Sequence, residues 1–88
     1  MEREAFVGML EREGYAQIVT VTREAGGALE THAHPFEAKA LILDGEITLR
    51  VGDAERHYAP GDVFHLRSDE PHSERYGPQG VQYLVGRK

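Results

Sequence analysis

The sequence predicts an all-β fold, an antiparallel sandwich or barrel, preceded by one short helix. Short runs of apolar and β-branched residues recur at close spacing, and most are separated by turn pairs rich in glycine or proline. Ten glycines and four prolines are distributed over the 88 residues, which is typical of many short elements joined by turns. A chain of this length has room for one domain, residues 1–88.

Residues 1–14 form the predicted helical segment. Phe6, Met9 and Leu10 are spaced three and four apart, so a helix places them on one face. Gly14 is a suitable residue to end that helix. We therefore expect a short N-terminal helix laid against a β-barrel formed by residues 15–88.

Eight strands are predicted in the remainder of the chain. The clearest lies at residues 46–51, where apolar and polar residues alternate strictly. Turns are expected between the strands, among them one at Asp44-Gly45 and one over residues 77–80. The predicted strands are residues 16–23, 28–32, 38–43, 46–51, 54–58, 63–66, 72–76 and 81–85.

Composition argues against several classes of function. Fifteen acidic residues against ten basic ones give a net charge of -5, the wrong sign for binding nucleic acid. Lys and Arg form no run and no basic amphipathic helix, so a membrane-surface role is not expected either. The absence of cysteine excludes disulfides and thiolate ligands. With no segment typical of a signal peptide, we expect a cytoplasmic protein.

Histidines are the residues that point to chemistry. His32 and His34 are two apart, so on an extended segment their imidazoles project from the same face. Two such rings can share one metal ion, with a third ligand supplied by another strand. A His-x-His pair alone is weak evidence, because it also occurs as two unrelated surface or core histidines.

Two sequence blocks extend this pattern. The stretch from His32 to Leu49, HAHPFEAKALILDGEITL, and the later Gly61-Asp62 with Pro71-His72 resemble the two motifs of the cupin family. The resemblance covers residues 25–75 and implies a jelly-roll β-barrel. It also implies that a divalent metal ion lies inside the barrel, held by His32, His34 and His72.

The sequence departs from the family pattern at several positions. Ala38 stands where the first motif usually has a glutamate ligand, and the adjacent Glu37 has the opposite strand parity. In the second motif, Arg67 and Asp69 replace the usual proline and glycine, and Tyr76 replaces an asparagine. The expected centre is therefore three neutral histidines around an ion whose charge is uncancelled, which favours a small anionic ligand. The donors suit Zn, Fe, Ni, Mn or Cu without choosing among them.

Two further residues are candidates for acid–base chemistry. His65 either faces the lumen as a fourth ligand or proton carrier, or is a half-buried, hydrogen-bonded histidine. Glu37 either lies near the barrel mouth and orients an imidazole, or is an ordinary solvated carboxylate. His57 is expected on the surface, and Tyr76 and Tyr83 either line the pocket or belong to the core.

Three functions remain open at this point. The chain is a metal-dependent enzyme acting on a small organic acid, such as an oxygenase or isomerase, or a non-catalytic binding or sensor module, or a metal-free structural barrel.

Strand parity also bears on assembly. If Ala38 and Ala40 face the lumen, Leu41 and Leu43 point outwards and need to be covered by the helix or by a second subunit. A homodimer is therefore expected.

Overall fold

The computed structural model describes residues 1–88, with one helix and six strands. The helix α1 spans Arg3–Arg12. It is too short to cross a membrane, and no other helix is present. The strands are β1 (Gln17–Arg23), β2 (Ala28–His32), β3 (Ala38–Val51), β4 (Ala54–Tyr58), β5 (Val63–Leu66) and β6 (His72–Arg87).

Two long strands, β3 and β6, run through both layers of the barrel. The first half of β3 pairs with β5 and with the second half of β6, which also pairs with β1. The second half of β3 pairs with β4 and with the first half of β6, which also pairs with β2. All of these pairings are antiparallel, so the fold consists of two four-stranded layers that share their central strands. This arrangement confirms the predicted jelly-roll barrel with a short N-terminal helix.

The turns predicted at Asp44-Gly45 and over residues 77–80 were wrong. Both segments are bends within continuous strands, where the β3–β6 register shifts around Asp44 and Gly45. Gly45 and Gly80 take positive φ angles of 73° and 76°, which glycine tolerates without a steric cost. A Cβ at Gly45 would lie 2.1 Å from the carbonyl oxygen of Gly80. The glycines therefore let the two paired strands stay close together while they bend. Because each bend joins two predicted strands into one, the eight predicted strands are six in the structure.

Apolar side chains form two clusters, one inside the barrel and one outside. The inner cluster combines residues of both layers, among them Ala38, Ile47 and Phe64. The outer cluster packs Phe6 and Leu10 of α1 onto Leu41, which is 2% exposed. Of the two covers expected for the outward leucines, the helix is the one observed. The homodimer stays a prediction, because a second subunit is not needed to bury Leu41.

The close approach of β3 and β6 at Gly45 yields a prediction for stability. Gly45→Ala should lower the free energy of unfolding by about 3 kcal/mol, because it combines a left-handed backbone with a clash against backbone atoms. Gly52→Ala is the matched control: its φ is 58° and no atom lies within 4 Å of the added Cβ. It should cost only about 1 kcal/mol. Urea unfolding measures the free energy of unfolding of both variants. Equal losses of stability would contradict a role for the close approach of the two strands at Gly45.

Candidate metal centre

Neighbouring strands bring three histidines together inside the barrel. His32 ends β2 and is the register partner of His72, the first residue of β6. His34 follows β2 in the adjoining segment. The imidazole centroids of His32 and His72 lie 4.4 Å apart, and those of His32 and His34 lie 4.9 Å apart. The three histidines implied by the family resemblance thus form one cluster.

The cluster contains a fourth group, the carboxylate of Glu74. Side chains two apart on β6 share a face, so Glu74 lies beside His72. Its Oε2 is 3.2 Å from Nε2 of His72 and 3.3 Å from Nε2 of His32. One potential ligand atom from each of the four residues lies within 4.8 Å of the other three. These residues are arranged such that they could hold one metal ion.

Backbone carbonyls orient two of the imidazoles. Nδ1 of His32 lies 2.7 Å from the carbonyl oxygen of Glu30, and Nδ1 of His72 lies 3.0 Å from that of Glu70. A carbonyl oxygen only accepts hydrogen bonds, so each Nδ1 carries the proton and donates. Both Nε2 atoms are then directed towards Glu74, as is typical of metal-ligating histidines whose other nitrogen is held by a carbonyl.

This orientation of the imidazoles requires a positive charge between them and Glu74. In the neutral tautomers, the lone pairs of both Nε2 atoms face the Glu74 carboxylate, and acceptors that face one another repel. Glu74 is only 7% exposed and His72 only 1%, so water cannot screen the contact fully. Either a proton or a cation must lie between them. The donor set therefore fits a divalent metal ion, which would displace that proton.

The contact between His72 and Glu74 also shifts the pKa values of both groups. The hydrogen bond to Glu74 raises the pKa of His72 despite the opposing effect of burial. Burial opposes the ionised form of Glu74, but hydrogen bonds from His72 and Tyr76 hold its pKa below the ordinary value. The Tyr76 hydroxyl donates to Oε1 of Glu74 at 3.0 Å, which leaves Oε2 directed at the histidines. Tyr76 thus orients the carboxylate.

His34 is held by contacts outside the strands. Its ring stacks on Phe36 with centroids 5.0 Å apart, and its carbonyl accepts a hydrogen bond from the backbone N–H of Asp69 at 2.7 Å. Burial lowers the pKa of His34, and the neighbouring imidazoles of His32 and His72 lower it further. A lowered pKa keeps the imidazole neutral, which is the form that binds metal.

A cavity of about 40 Å³ adjoins the cluster. Its polar lining comprises His34, His72, Glu74, Tyr83 and Arg87, and the rest is apolar. The volume holds an ion with a water or a few ligand atoms, since one water needs roughly 10–15 Å³.

The expected centre of three neutral histidines needs a correction. Ala38 lines the cavity, as its strand parity predicts, and has no carboxylate to offer. The carboxylate comes instead from Glu74 on a different strand. Sequence analysis missed Glu74, although the alternation within the predicted strand 72–76 places it beside His72.

The remaining candidates lie elsewhere. Phe64 and Leu66 face the core, so the intervening His65 points outwards, and the alternative that placed it in the lumen was wrong. His65 pairs with Glu37, which also accepts a hydrogen bond from the Tyr15 hydroxyl at 3.2 Å. Glu37 therefore links the helix end to β5 and touches no imidazole of the cluster. His57 lies on the surface as predicted, 2.9 Å from Glu46.

The Glu37 contacts predict a pH-dependent contribution to stability. The hydrogen bond with His65 holds the pKa of Glu37 below 4.5, assisted by Tyr15 and the charge of Lys88 and opposed by burial. A carboxyl whose pKa is lowered on folding stabilises the fold above its unfolded pKa, and this contribution disappears as the pH falls through the folded value. Glu37→Gln should therefore lower Tm at pH 7, and the difference from wild type should narrow below pH 4.5.

Calorimetry over this pH range tests the expectation. Glu11→Gln is the charge-matched control, because Glu11 is exposed on α1 and its side chain forms no ion pair. A Glu37→Gln deficit that persists unchanged to pH 3 would contradict the ionic contribution.

Solved structures with the same fold include proteins of several kinds. A cupin superfamily protein from Desulfitobacterium hafniense is 17% identical, with a TM-score of 0.65 over 80% of this chain and 75% of that chain. The DMSP lyase DddQ from Ruegeria pomeroyi is 30% identical, with a TM-score of 0.73 over 81% of this chain and 36% of the lyase. A variant of oxalate decarboxylase from Bacillus subtilis is 21% identical, with a TM-score of 0.73 over 81% of this chain and 20% of that enzyme.

Sequence comparison is consistent with these structures. No curated protein matches the chain at a significant level. The cupin domain family matches residues 19–76, which include β2 through β5 and all four clustered residues. The antiparallel barrel, the histidines on its inner face and this match agree: the chain belongs to the cupin domain family.

Proposed function

We propose that this protein binds one divalent transition-metal ion through His32, His34, His72 and Glu74 and presents it to a small molecule. The observation that carries the proposal is the convergence of four ligand groups within 4.8 Å, two of them oriented by backbone carbonyls. Without a metal ion, the same convergence needs a proton between Glu74 and the two Nε2 atoms, and it buries an ion pair at the expense of hydration. A metal ion would take the place of that proton.

Nitrogen and oxygen donors restrict the class of metal. Three imidazoles and one carboxylate suit Zn, Fe, Ni, Mn or Cu, and no cysteine is present to select a thiophilic site. One carboxylate against a divalent ion leaves one net positive charge. When bound, such an ion supplies Lewis acidity towards a ligand in its open position.

The cavity limits what can approach the ion. About 40 Å³ is far below the roughly 300–1,000 Å³ of pockets that enclose drug-sized ligands. A larger groove of about 350 Å³ lies on the other side of Phe64 and Leu66, which line both spaces. A molecule bound at the ion is therefore small or inserts only one functional group. We infer that this group is anionic, because the charge at the ion is positive.

The first candidate activity is metal-dependent catalysis on a small organic molecule. It is supported by the likeness to a DMSP lyase, of which this chain spans about a third. In such a reaction Glu74 and Tyr76 would hold or move a proton at Glu74 Oε1, since the phenol already donates there.

The second candidate is a binding or sensor module without turnover. It is favoured by the interior itself, because the cavity lining contains no carboxylate or imidazole beyond the cluster. The two residues expected to supply acid–base chemistry, His65 and Glu37, are paired on the outer face. A ligand recovered chemically unchanged from the loaded protein would favour this candidate.

Loss of one ligand should abolish tight metal binding. Wild-type protein titrated with Co²⁺ should take up one equivalent and show a rise in Tm, about 2.7 kcal/mol of stabilisation at a hundredfold excess over Kd. Glu74→Gln and His72→Ala should weaken binding by more than the about 10–100-fold typical of losing an outer hydrogen bond. Calorimetry and elemental analysis measure both.

The matched control is His57→Ala, which removes a surface imidazole outside the cluster. It should bind Co²⁺ like the wild type. Equal Co²⁺ affinity in wild type, Glu74→Gln and His72→Ala would refute the proposed ligand set. No uptake of Co²⁺ by the wild type would make the metal-free barrel the better description.

Tyr76 should tune the centre without being a ligand. Tyr76→Phe removes the hydrogen bond to Oε1 of Glu74 and should weaken Co²⁺ binding by about 10–100-fold. Tyr83→Phe removes a hydroxyl from the cavity lining that does not bond to Glu74, and it should have a smaller effect. Equal effects of the two substitutions would show that the Tyr76 hydroxyl does not position the carboxylate.

A further inference from the structure

Arg87 occupies an unusual position at the edge of the metal cavity. It is the last residue of β6 and shares the inward face of Tyr83 and Val85. Its side chain lines the same cavity as His34 and Glu74. The guanidinium carbon lies 5.2 Å from the centroid of the Phe36 ring, which in turn stacks on His34. A cation–π contact thus holds the charge beside the cluster.

The guanidinium of Arg87 has no anionic partner in the protein. It forms no ion pair and donates no side-chain hydrogen bond, whereas Arg75 is paired with Glu55 on the outer surface. Five N–H donors are therefore free at the edge of a half-open cavity. Such donors match the two oxygens of a carboxylate in a bidentate geometry.

The residue opposite Arg87 explains why it is unpaired. Ala38 is its register partner on β3 and lines the same cavity. A carboxylate side chain at position 38 would reach into this space and could neutralise the guanidinium. With alanine there, the space beside Arg87 remains free, and the carboxylate of the cluster comes from Glu74 on the far side.

We propose that Arg87 is the specificity-determining residue of this centre and selects small carboxylates. One carboxylate group fills the space left by Ala38, with its oxygens shared between the guanidinium and the metal ion. The inference rests on the proposed metal site and names the class of molecule that it takes. It also accounts for the small cavity, which admits a carboxylate group but little more.

Charge around the cavity favours the same class. A divalent ion with Glu74 carries one net positive charge, and Arg87 adds a second within the same lining. An anion entering this space is attracted by both charges, whereas an amine is repelled by both. A neutral amide of the same shape offers neither the charge nor the two equivalent acceptor oxygens.

The test uses Co²⁺-loaded protein titrated with acetate and with acetamide, its neutral analogue of similar shape. The Co²⁺ absorption spectrum and calorimetry report binding, and no turnover is required. Wild type should bind acetate and not acetamide. Arg87→Gln should keep its Co²⁺ but lose about 10–100-fold in acetate affinity, and Arg87→Lys should recover part of the loss. Arg75→Gln, which removes a paired surface arginine, should match the wild type.

A second variant fills the site from within. Ala38→Glu places a carboxylate opposite Arg87, so it should retain Co²⁺ and exclude acetate. Unchanged acetate affinity in Arg87→Gln, with one Co²⁺ bound, would overturn the role of Arg87 and leave the metal site intact. Failure of the wild-type protein to bind Co²⁺ would instead overturn the metal site and, with it, the two-point recognition of a carboxylate.

Discussion

The buried carboxylate of Glu74 is the constraint on which the centre depends. An ionised group that is 7% exposed loses several kcal/mol of hydration, and this cost is offset only by close positive charge and hydrogen bonds. Tyr76 supplies one hydrogen bond, and the imidazoles of His32 and His72 face the other oxygen. The Nδ1 protons of His32 and His72 are donated to the carbonyls of Glu30 and Glu70. In the neutral imidazoles, Nε2 then has no proton to donate to Glu74. The local backbone therefore creates a cluster that requires either a proton or a metal ion beside Glu74.

The bent strands place this cluster where the barrel can enclose it. Because β6 continues through its bend, its first half carries His72 and Glu74 while its second half carries Tyr83 and Arg87 on the opposite layer. One strand thus supplies two of the clustered side chains and the far wall of the cavity. The two glycines permit this geometry, since a Cβ at Gly45 would clash with the Gly80 carbonyl and a Cβ at Gly80 would clash with the carbonyl oxygen of Arg23 at the end of β1.

Much of the fold was predictable because strand alternation and glycine placement are local signals. The helix, the outward direction of Leu41 and the clustering of three histidines followed from periodicity and from the motif resemblance. The continuity of β3 and β6 was not predictable, since Asp44-Gly45 is equally a turn signal and a bulge signal until the partner strand is known. Glu74 was within reach of the same alternation rule. The family motif, however, places its carboxylate at the position held by Ala38 and carries no signal for a replacement on another strand.

The carboxylate of the cluster is on β6, at Glu74, and not on β3 at position 38, where the family motif has it. This difference alters the charge distribution in the cavity. A glutamate at position 38 would bring a negative charge next to Arg87, because the two positions are register partners. The guanidinium would then be paired with that carboxylate within the barrel. In the proposed centre Glu74 carries the negative charge, which lies among the imidazoles on the β2–β6 side, and Arg87 on the opposite layer has no ion-pair partner. The cavity between them is therefore polarised, with an anionic ligand group on one wall and an unpaired cation on the other. A barrel with the same histidines but a carboxylate at position 38 would lack this asymmetry, so two members of one family can share a metal centre and still select different molecules.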